Sequence, residues 1–169
     1  MLLLLAISSS ASSVWIDVPF VRQQEEGCGA ASLSMLIQYW KSQGHSVDET
    51  VSDPDRIMHL LYSKKDHGIP ARDFTSYLRR NGFKTFELTG TWEDLVHHIS
   101  KGRPLIASLE AAGNKDRLHY LLVTGVDTHQ NLVLVNDPAE RKLLKMKRSN
   151  FENRWRASGN WTLLALPEQ

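Results

Sequence analysis

Cysteine is almost absent from this sequence, which contains only Cys28 among its 169 residues. One thiol cannot form an internal disulfide, so a disulfide-stabilised scaffold is excluded. The CxxC and HExxH spacings that hold zinc are also missing, and we therefore expect neither a metal nor another cofactor. The lone thiol is then either a buried apolar group or one kept for chemistry.

An excess of charge of one sign is missing as well. Lys and Arg number 20 against 19 Asp and Glu, which leaves a formal net charge of +1, and neither sign forms a long run. Nucleic-acid binding and docking on an anionic membrane both depend on a concentrated basic surface. We therefore expect no nucleic-acid partner.

Long apolar runs are confined to the N-terminus, where residues 1–7 read MLLLLAI. This run is too short to cross a bilayer, and Ser9 and Ala11 behind it are spaced as at a signal-peptidase site. A positively charged start is absent. We interpret residues 1–13 as a signal or leader remnant. Residues 14–169 are expected to form a single domain with one core.

The leader interpretation predicts an exported protein, periplasmic or extracellular, with no integral membrane segment in its mature form. Association with a membrane through the N-terminus and a cytoplasmic location both stay open. The sequence leaves the oligomeric state open too.

The spacing of the apolar residues changes from a helical to a strand pattern beyond the middle of the chain. Helices are predicted from Cys28 to about Gly44 and over residues 53–63, 70–82, 91–102 and 148–155. Strands are predicted over residues 14–21 (an edge strand or an extended arm), 83–88, 104–110, 118–127, 131–137 and 160–166. Helices followed by an antiparallel sheet indicate an α+β domain and not alternating βαβ units.

Cys28 opens the first helix, which is predicted to be amphipathic. Unpaired N–H groups at a helix N-terminus stabilise a thiolate, which lowers the cysteine pKa from its free value of about 8.5. Gly27 and Gly29 would let the backbone turn sharply, and the Cys28 N–H can donate to an oxyanion. The alternative is an inert, packed thiol. The apolar face of the helix consists of Leu33, Leu36, Ile37 and Trp40.

A thiolate needs a base, and His119 is the best placed of the seven histidines. It stands at the predicted start of the apolar strand HYLLVTGVD, just after the predicted polar loop AAGNKDR, so it opens onto solvent from a rigid element. The alternative is a half-buried strand histidine bonded to a backbone carbonyl. The remaining histidines are interpreted as surface residues: His45, His59, His67, His97, His98 and His129.

Asp137 ends the next strand, NLVLVND. If the two strands pair through the THQ loop, the ladder brings Asp137 and His119 to the same end of the hairpin. Asp137 would then set the imidazole tautomer and stabilise the imidazolium. The alternative is a turn-forming Asp before Pro138.

Two glutamines, Gln23 and Gln24, precede the cysteine. A side-chain amide here can complete an oxyanion hole together with the Cys28 N–H, although glutamines on an arm are commonly just solvated. Each of these features is weak alone. Gln, Cys, His and Asp in this chain order together indicate nucleophilic catalysis.

Three segments together resemble the C39 and C39-like cysteine peptidases: VPFVRQQEEGCGAASLSML, LHYLLVTGVD and VNDPA. The resemblance implies a papain-like fold, in which an N-terminal helical half carries the nucleophile on a helix packed against a C-terminal antiparallel sheet. It also implies roles for four residues. Cys28 would be the nucleophile, His119 the general base and acid, Asp137 the orienting acid, and Gln23, with Gln24 in reserve, the oxyanion donor.

The resemblance implies a cysteine peptidase that acts on a peptide or protein through an acyl-enzyme on Cys28. Relatives that cleave leader peptides after a double glycine are transporter domains. The sequence shows neither transmembrane helices nor an ATP-binding motif, so we expect a free-standing enzyme and no leader-peptide cleavage. The alternatives are acyl transfer or amidase action by the same triad, and a binding domain that keeps the fold without turnover.

Overall fold

A computed structural model describes residues 13–168 of the chain. The α-helices in this range are α1 Cys28–Ser42, α2 Pro54–Leu61, α3 Ala71–Arg80, α4 Trp92–Ile99 and α5 Arg148–Trp155. The strands are β1 Ser13–Trp15, β2 Phe83–Thr89, β3 Leu105–Ala111, β4 Asn114–Asp127, β5 Leu132–Asn136, β6 Leu144–Lys147 and β7 Trp161–Pro167. Short 3-10 helices cover Glu49–Ser52 and Arg156–Ser158. Apart from Ser13, the predicted leader segment lies outside the described residues.

The strands form one antiparallel sheet in the order β2-β7-β3-β4-β5-β6, with β1 paired to β4. Helix α1 packs against β3 and β4, and α3 packs against β2. The α+β prediction, with the helix of Cys28 packed on an antiparallel sheet, is confirmed. No helix within residues 13–168 is both long and apolar enough to span a membrane.

Helix α1 is more deeply buried than an amphipathic helix. Leu33 and Leu36 are buried as predicted, but Ser32 and Ser34 are buried as well. The helix contacts the sheet as well as α2 and the Glu49–Ser52 turn. Ser34 meets its hydrogen-bonding requirement by donating its hydroxyl to the Ser52 carbonyl at 2.6 Å. Packing on several sides fixes the position of the N-terminus of α1, where Cys28 lies.

Two helices begin where their local sequence predicts. The Asp53 carboxylate accepts the N–H of Asp55 at 2.9 Å, and Pro54 takes the first position of α2. Thr91 and Asp94 form a reciprocal capping box at the start of α4. Both signals are confirmed because a cap depends only on residues within one turn of each other.

The hairpin of β3 and β4 differs from the prediction. The segment AAGNKDR, predicted to be a loop, contains only a tight turn, in which Gly113 has a left-handed φ of 76°, and β4 already begins at Asn114. Residues Asn114–Arg117 are exposed and polar, so they lack the apolar alternation that marks a strand. His119 therefore lies inside β4 and not at its start, which corrects the sequence-based placement. The edge strand β6 was also missed.

The segment predicted as an edge strand or an arm is mainly an arm. Only its beginning pairs with β4, and the chain then continues without regular secondary structure to the turn before Cys28. The Ile16 N–H donates to the Thr124 carbonyl at 2.7 Å, and the Gln23 N–H donates to the Pro138 carbonyl at 3.0 Å. These bonds hold the arm beside the end of β5, next to Asp137.

Candidate active site

Cys28 is the first residue of α1, so its thiol lies at a helix N-terminus as predicted. The sharp turn before it is made by Glu26, whose φ of 55° is left-handed, whereas Gly27 has an ordinary φ of −95°. Gly29 serves packing, because a Cβ there would lie 3.1 Å from Ile69 and from Phe74. The glycines flanking Cys28 therefore do not make the turn, contrary to the sequence-based expectation.

His119 lies between Cys28 and Asp137. Its Nε2 is 2.7 Å from Asp137 Oδ1. Its ring also lies close enough to the Cys28 thiol for each group to shift the pKa of the other. With Nε2 bonded to Asp137, Nδ1 is the nitrogen left for the sulfur. The His119 and Asp137 side chains are only 13% and 5% exposed. The structure thus brings together three of the four residues singled out in the sequence.

The ladder between β4 and β5 explains how Asp137 reaches His119. Leu122 pairs with Asn136 at the end of the ladder. Asp137, the next residue, therefore leaves the ladder at the same end of the hairpin as His119. Asp137 Oδ1 also accepts the Ala139 N–H at 2.9 Å, which closes the turn after the strand. Asp137 therefore both contacts His119 and forms the turn, the two alternatives that the sequence left open.

The electrostatics of the three groups favour a thiolate–imidazolium pair. Burial raises the pKa of the Cys28 thiol, but the hydrogen bond to His119, the imidazolium charge and the N–H groups of Tyr120 and Gly29 together bring it below its ordinary value. Burial lowers the pKa of His119, but hydrogen bonds to Asp137 and Cys28 outweigh burial and raise it to about 9. Burial likewise raises the pKa of Asp137, yet its hydrogen bond to His119 leaves the value lowered.

These shifts predict how alkylation and peptide turnover respond to pH. Because the thiol pKa is lowered, alkylation of Cys28 is expected to persist below pH 7. Because the imidazolium loses its proton as the pH rises through about 9, turnover is expected to fall there while alkylation does not. Iodoacetamide labelling followed by intact mass, beside peptide turnover across the same pH series, checks both. An alkylation midpoint near 8.5 would contradict the ion pair.

Cys28 opens onto a cleft of about 620 Å³. One wall comes from residues 66–70, and the other from β4 at Asp116, Arg117, Leu118 and Tyr120. The Tyr120 N–H is one of the groups that lower the pKa of the Cys28 thiol. Burial, with the nearby Cys28 charge, raises the pKa of the Tyr120 phenol to about 12, so this hydroxyl keeps its proton. Tyr120 was missed in the sequence, where its one signal is its position next to His119.

The two glutamines differ in their surroundings. Gln24 donates its amide to Asp55 Oδ1 at 2.8 Å. Gln23 is held against Pro138 by its backbone, and its side-chain oxygen is buried without a partner among the described residues. Both glutamines line a small pocket of about 40 Å³ and not the large cleft. Among residues 13–168, Gln23 is therefore the amide without a side-chain partner, although it does not line the wall beside Cys28.

Of the remaining histidines, His67 lines the cleft, and the placement of His98 needs a correction. His98 is half-buried and not a surface residue, its Nδ1 has no partner among the described residues, and burial lowers its pKa. The exposed ones are His45, His59, His67, His97 and His129. Within residues 13–168 no group of three or more His, Cys, Asp or Glu side chains is arranged to hold a metal ion.

The geometry can be compared with known proteins. The model of the Peptidase_C39 like family matches residues 15–163. The chain belongs to this family. As a member of the Peptidase_C39 like family it has the papain-like fold, and the resemblance seen in its motifs is confirmed. A comparison with curated proteins finds no significant match.

Solved structures of C39 peptidases share the fold. A protein from Bacillus anthracis described as a C39-like peptidase has a TM-score of 0.68 and 19% identity, over 93% of this chain and 98% of that one. The peptidase domain of Streptococcus ComA, a bi-functional ABC transporter of a quorum sensing pathway, has a TM-score of 0.67 and 20% identity, over 88% and 98%. A double glycine motif protease from an AMS/PCAT transporter, in complex with its leader peptide, has a TM-score of 0.63 and 19% identity, over 91% and 94%.

Proposed function

We propose that this protein is a cysteine peptidase that acts through an acyl-enzyme on Cys28. One observation carries the proposal: His119 is hydrogen bonded to Asp137 and interacts with the thiol at the N-terminus of α1, and that thiol opens onto a cleft. Membership of a peptidase family supports the same reaction class.

In the proposed reaction the Cys28 thiolate attacks the carbonyl carbon of a peptide bond and forms a carbon–sulfur bond. As the carbon–nitrogen bond breaks, His119 donates its Nδ1 proton to the leaving amine. His119, now neutral, takes a proton from water, whose oxygen attacks the thioester and releases the acid and the thiolate. Asp137 holds the ring through Nε2 during both steps and stabilises its charged form.

The N–H of Cys28 and the side-chain amide of Gln23 are the proposed donors to the oxyanion. Gln23→Ala is expected to lower kcat on the order of 10²- to 10³-fold, because one such donor is worth about that much. Gln24→Ala is the matched control, since that amide is engaged by Asp55. Steady-state kinetics of both variants checks the assignment. Equal losses, or a loss confined to Gln24→Ala, would contradict it.

The proposed activity is tested by incubating the protein with a mixed peptide library and identifying new termini by mass spectrometry. Cleavage by the native chain, absent from Cys28→Ala, is the expected result. Adding a primary amine separates hydrolysis from acyl transfer, because a transferase yields the amide adduct. An alkylatable thiol with no cleavage and no adduct would favour a binding domain.

A peptide in the cleft and export of the mature chain are parts of the same proposal. The AMS/PCAT protease was solved with a leader peptide, and we propose a peptide substrate for this chain without extending that leader specificity to it. Export is supported by the apolar start and the small residues behind it. Fractionation of cells with N-terminal sequencing of the product tests export, and an uncleaved cytoplasmic chain would count against it.

A further inference from the structure

The side chain of Glu26, two residues before Cys28, gathers partners from three other positions. The Tyr62 hydroxyl donates to its Oε2, His67 Nδ1 lies 3.2 Å from its Oε1, and Arg117 Nη2 lies 3.5 Å from the same oxygen. The Tyr62 hydrogen bond, aided by His67 and Arg117, lowers the pKa of Glu26, so the group is a carboxylate at neutral pH. We call Glu26, Tyr62, His67 and Arg117 the Glu26 clasp.

The clasp joins the two halves of the molecule beside the nucleophile. Tyr62 follows α2, and His67 lies in the turn closed by the bridge between Ser63 and Gly68, which forms the helical-side wall of the cleft. Arg117 belongs to β4, two residues before His119, and its Nη2 also donates to the His67 carbonyl at 3.3 Å. The segment that leads to Cys28 and the strand that contains His119 are therefore joined by side chains other than those of Cys28 and His119.

The backbone at Glu26 gives a second reason to examine this residue. Its φ of 55° is uncommon for a residue with a side chain, and glycine adopts it without strain. Such a conformation persists where the surroundings hold it, and here the clasp supplies the contacts. If this position only had to make the turn, glycine would fit it with less strain than glutamate.

We propose that Glu26 is a positioning residue, which through the Glu26 clasp holds the Cys28 turn against β4 so that the thiol and His119 stay in hydrogen-bond contact. The inference rests on the proposed function, because a positioning residue matters only if Cys28 is catalytic. The contact between the thiol and the imidazole can nevertheless be measured without a substrate.

The test compares Glu26→Gly and Glu26→Gln with the native protein, by the pH dependence of iodoacetamide alkylation. Glycine keeps the left-handed turn and removes the clasp, so the alkylation rate at pH 6–7 is expected to fall about 10-fold, with the midpoint moving up towards the free-thiol value of about 8.5. Glutamine keeps an acceptor for Tyr62 and loses the ion pair, so its profile is expected to lie between the two. Glu25→Gln, at an exposed neighbouring position, is the control and should match the native profile.

Arg117→Ala removes the clasp from the strand side. Because Glu26 and Arg117 are expected to act as one unit, the double variant Glu26→Gln/Arg117→Ala should lose little more than either single variant. Thermal unfolding of each variant accompanies the kinetics, so that a failure to fold is recognised.

Native-like alkylation in Glu26→Gly would overturn the proposal and reduce Glu26 to a turn residue. In Glu26→Gln, a lowered pH midpoint of alkylation with an unchanged maximal alkylation rate would also overturn it. That result would mean that Glu26 affects the thiolate only through its negative charge. A protein that cleaves no peptide yet shows the expected shift would leave the clasp standing while the proposed function fails.

Discussion

Replacing His119 with alanine is expected to lower peptide turnover by on the order of 10⁴-fold or more, because in the proposed mechanism His119 moves the proton in both half-reactions. The thiol is affected as well. The hydrogen bond and charge of His119 are what bring the Cys28 pKa down against burial, so burial then acts with little opposition. The alkylation midpoint should rise to about 8.5 or above.

Turnover and the alkylation profile of His119→Ala are measured beside those of His59→Ala. His59 is an exposed histidine on α2, so this control removes an imidazole without touching the site. Retention of substantial turnover in His119→Ala, or an unmoved alkylation midpoint, would remove His119 from the catalytic role.

Replacing Asp137 with alanine is expected to lower both activity and stability, because Asp137 Oδ1 accepts hydrogen bonds from His119 and from Ala139. Turnover should fall by several orders of magnitude because the imidazole loses its orienting acceptor. The Ala139 N–H, at an exposed residue, also loses its acceptor, which is expected to cost about 0.5–1.5 kcal/mol of the free energy of unfolding. Chemical denaturation and steady-state kinetics on the same preparation measure the two losses.

Asp137→Asn separates the two roles. Asparagine keeps the Oδ1 that accepts from His119 and Ala139 but removes the negative charge. We expect near-native stability, lower turnover, and an alkaline limit of turnover that moves down from about pH 9 because the imidazolium is less stabilised. If Asp137→Ala unfolds more easily but alkylates and turns over as the native protein does, Asp137 is only a turn residue.

The predictions that succeeded depend on contacts close in sequence. The caps at Asp53 and Thr91 involve residues within a single turn, and both formed as expected. The pairing of β4 with β5 follows from a short loop and two apolar runs, which is why the sequence could place His119 and Asp137 at the same end of a hairpin.

The predictions that failed depend on packing that no local pattern encodes. Residues Asn114–Arg117 extend β4 beyond its regular ladder with β3, since only Asn114 among them is paired, and their exposed polar side chains gave no periodic signal. Ser32 and Ser34 are buried because α1 is covered on several sides. His98 is half-buried although its neighbour His97 is exposed, which depends on how α4 meets the rest of the chain.

The sequence by itself determined the family, the α+β class and the chemistry available: a thiol at a helix N-terminus, and an imidazole and a carboxylate on one hairpin. Only the tertiary structure decided that the imidazole meets the thiol, that Gln24 and not Gln23 binds Asp55, and that Glu26 is clasped by Arg117. Each of these contacts joins segments that are distant along the chain. Their distances are set by how α1 packs on β4, and that packing is a property of the whole core rather than of any one segment.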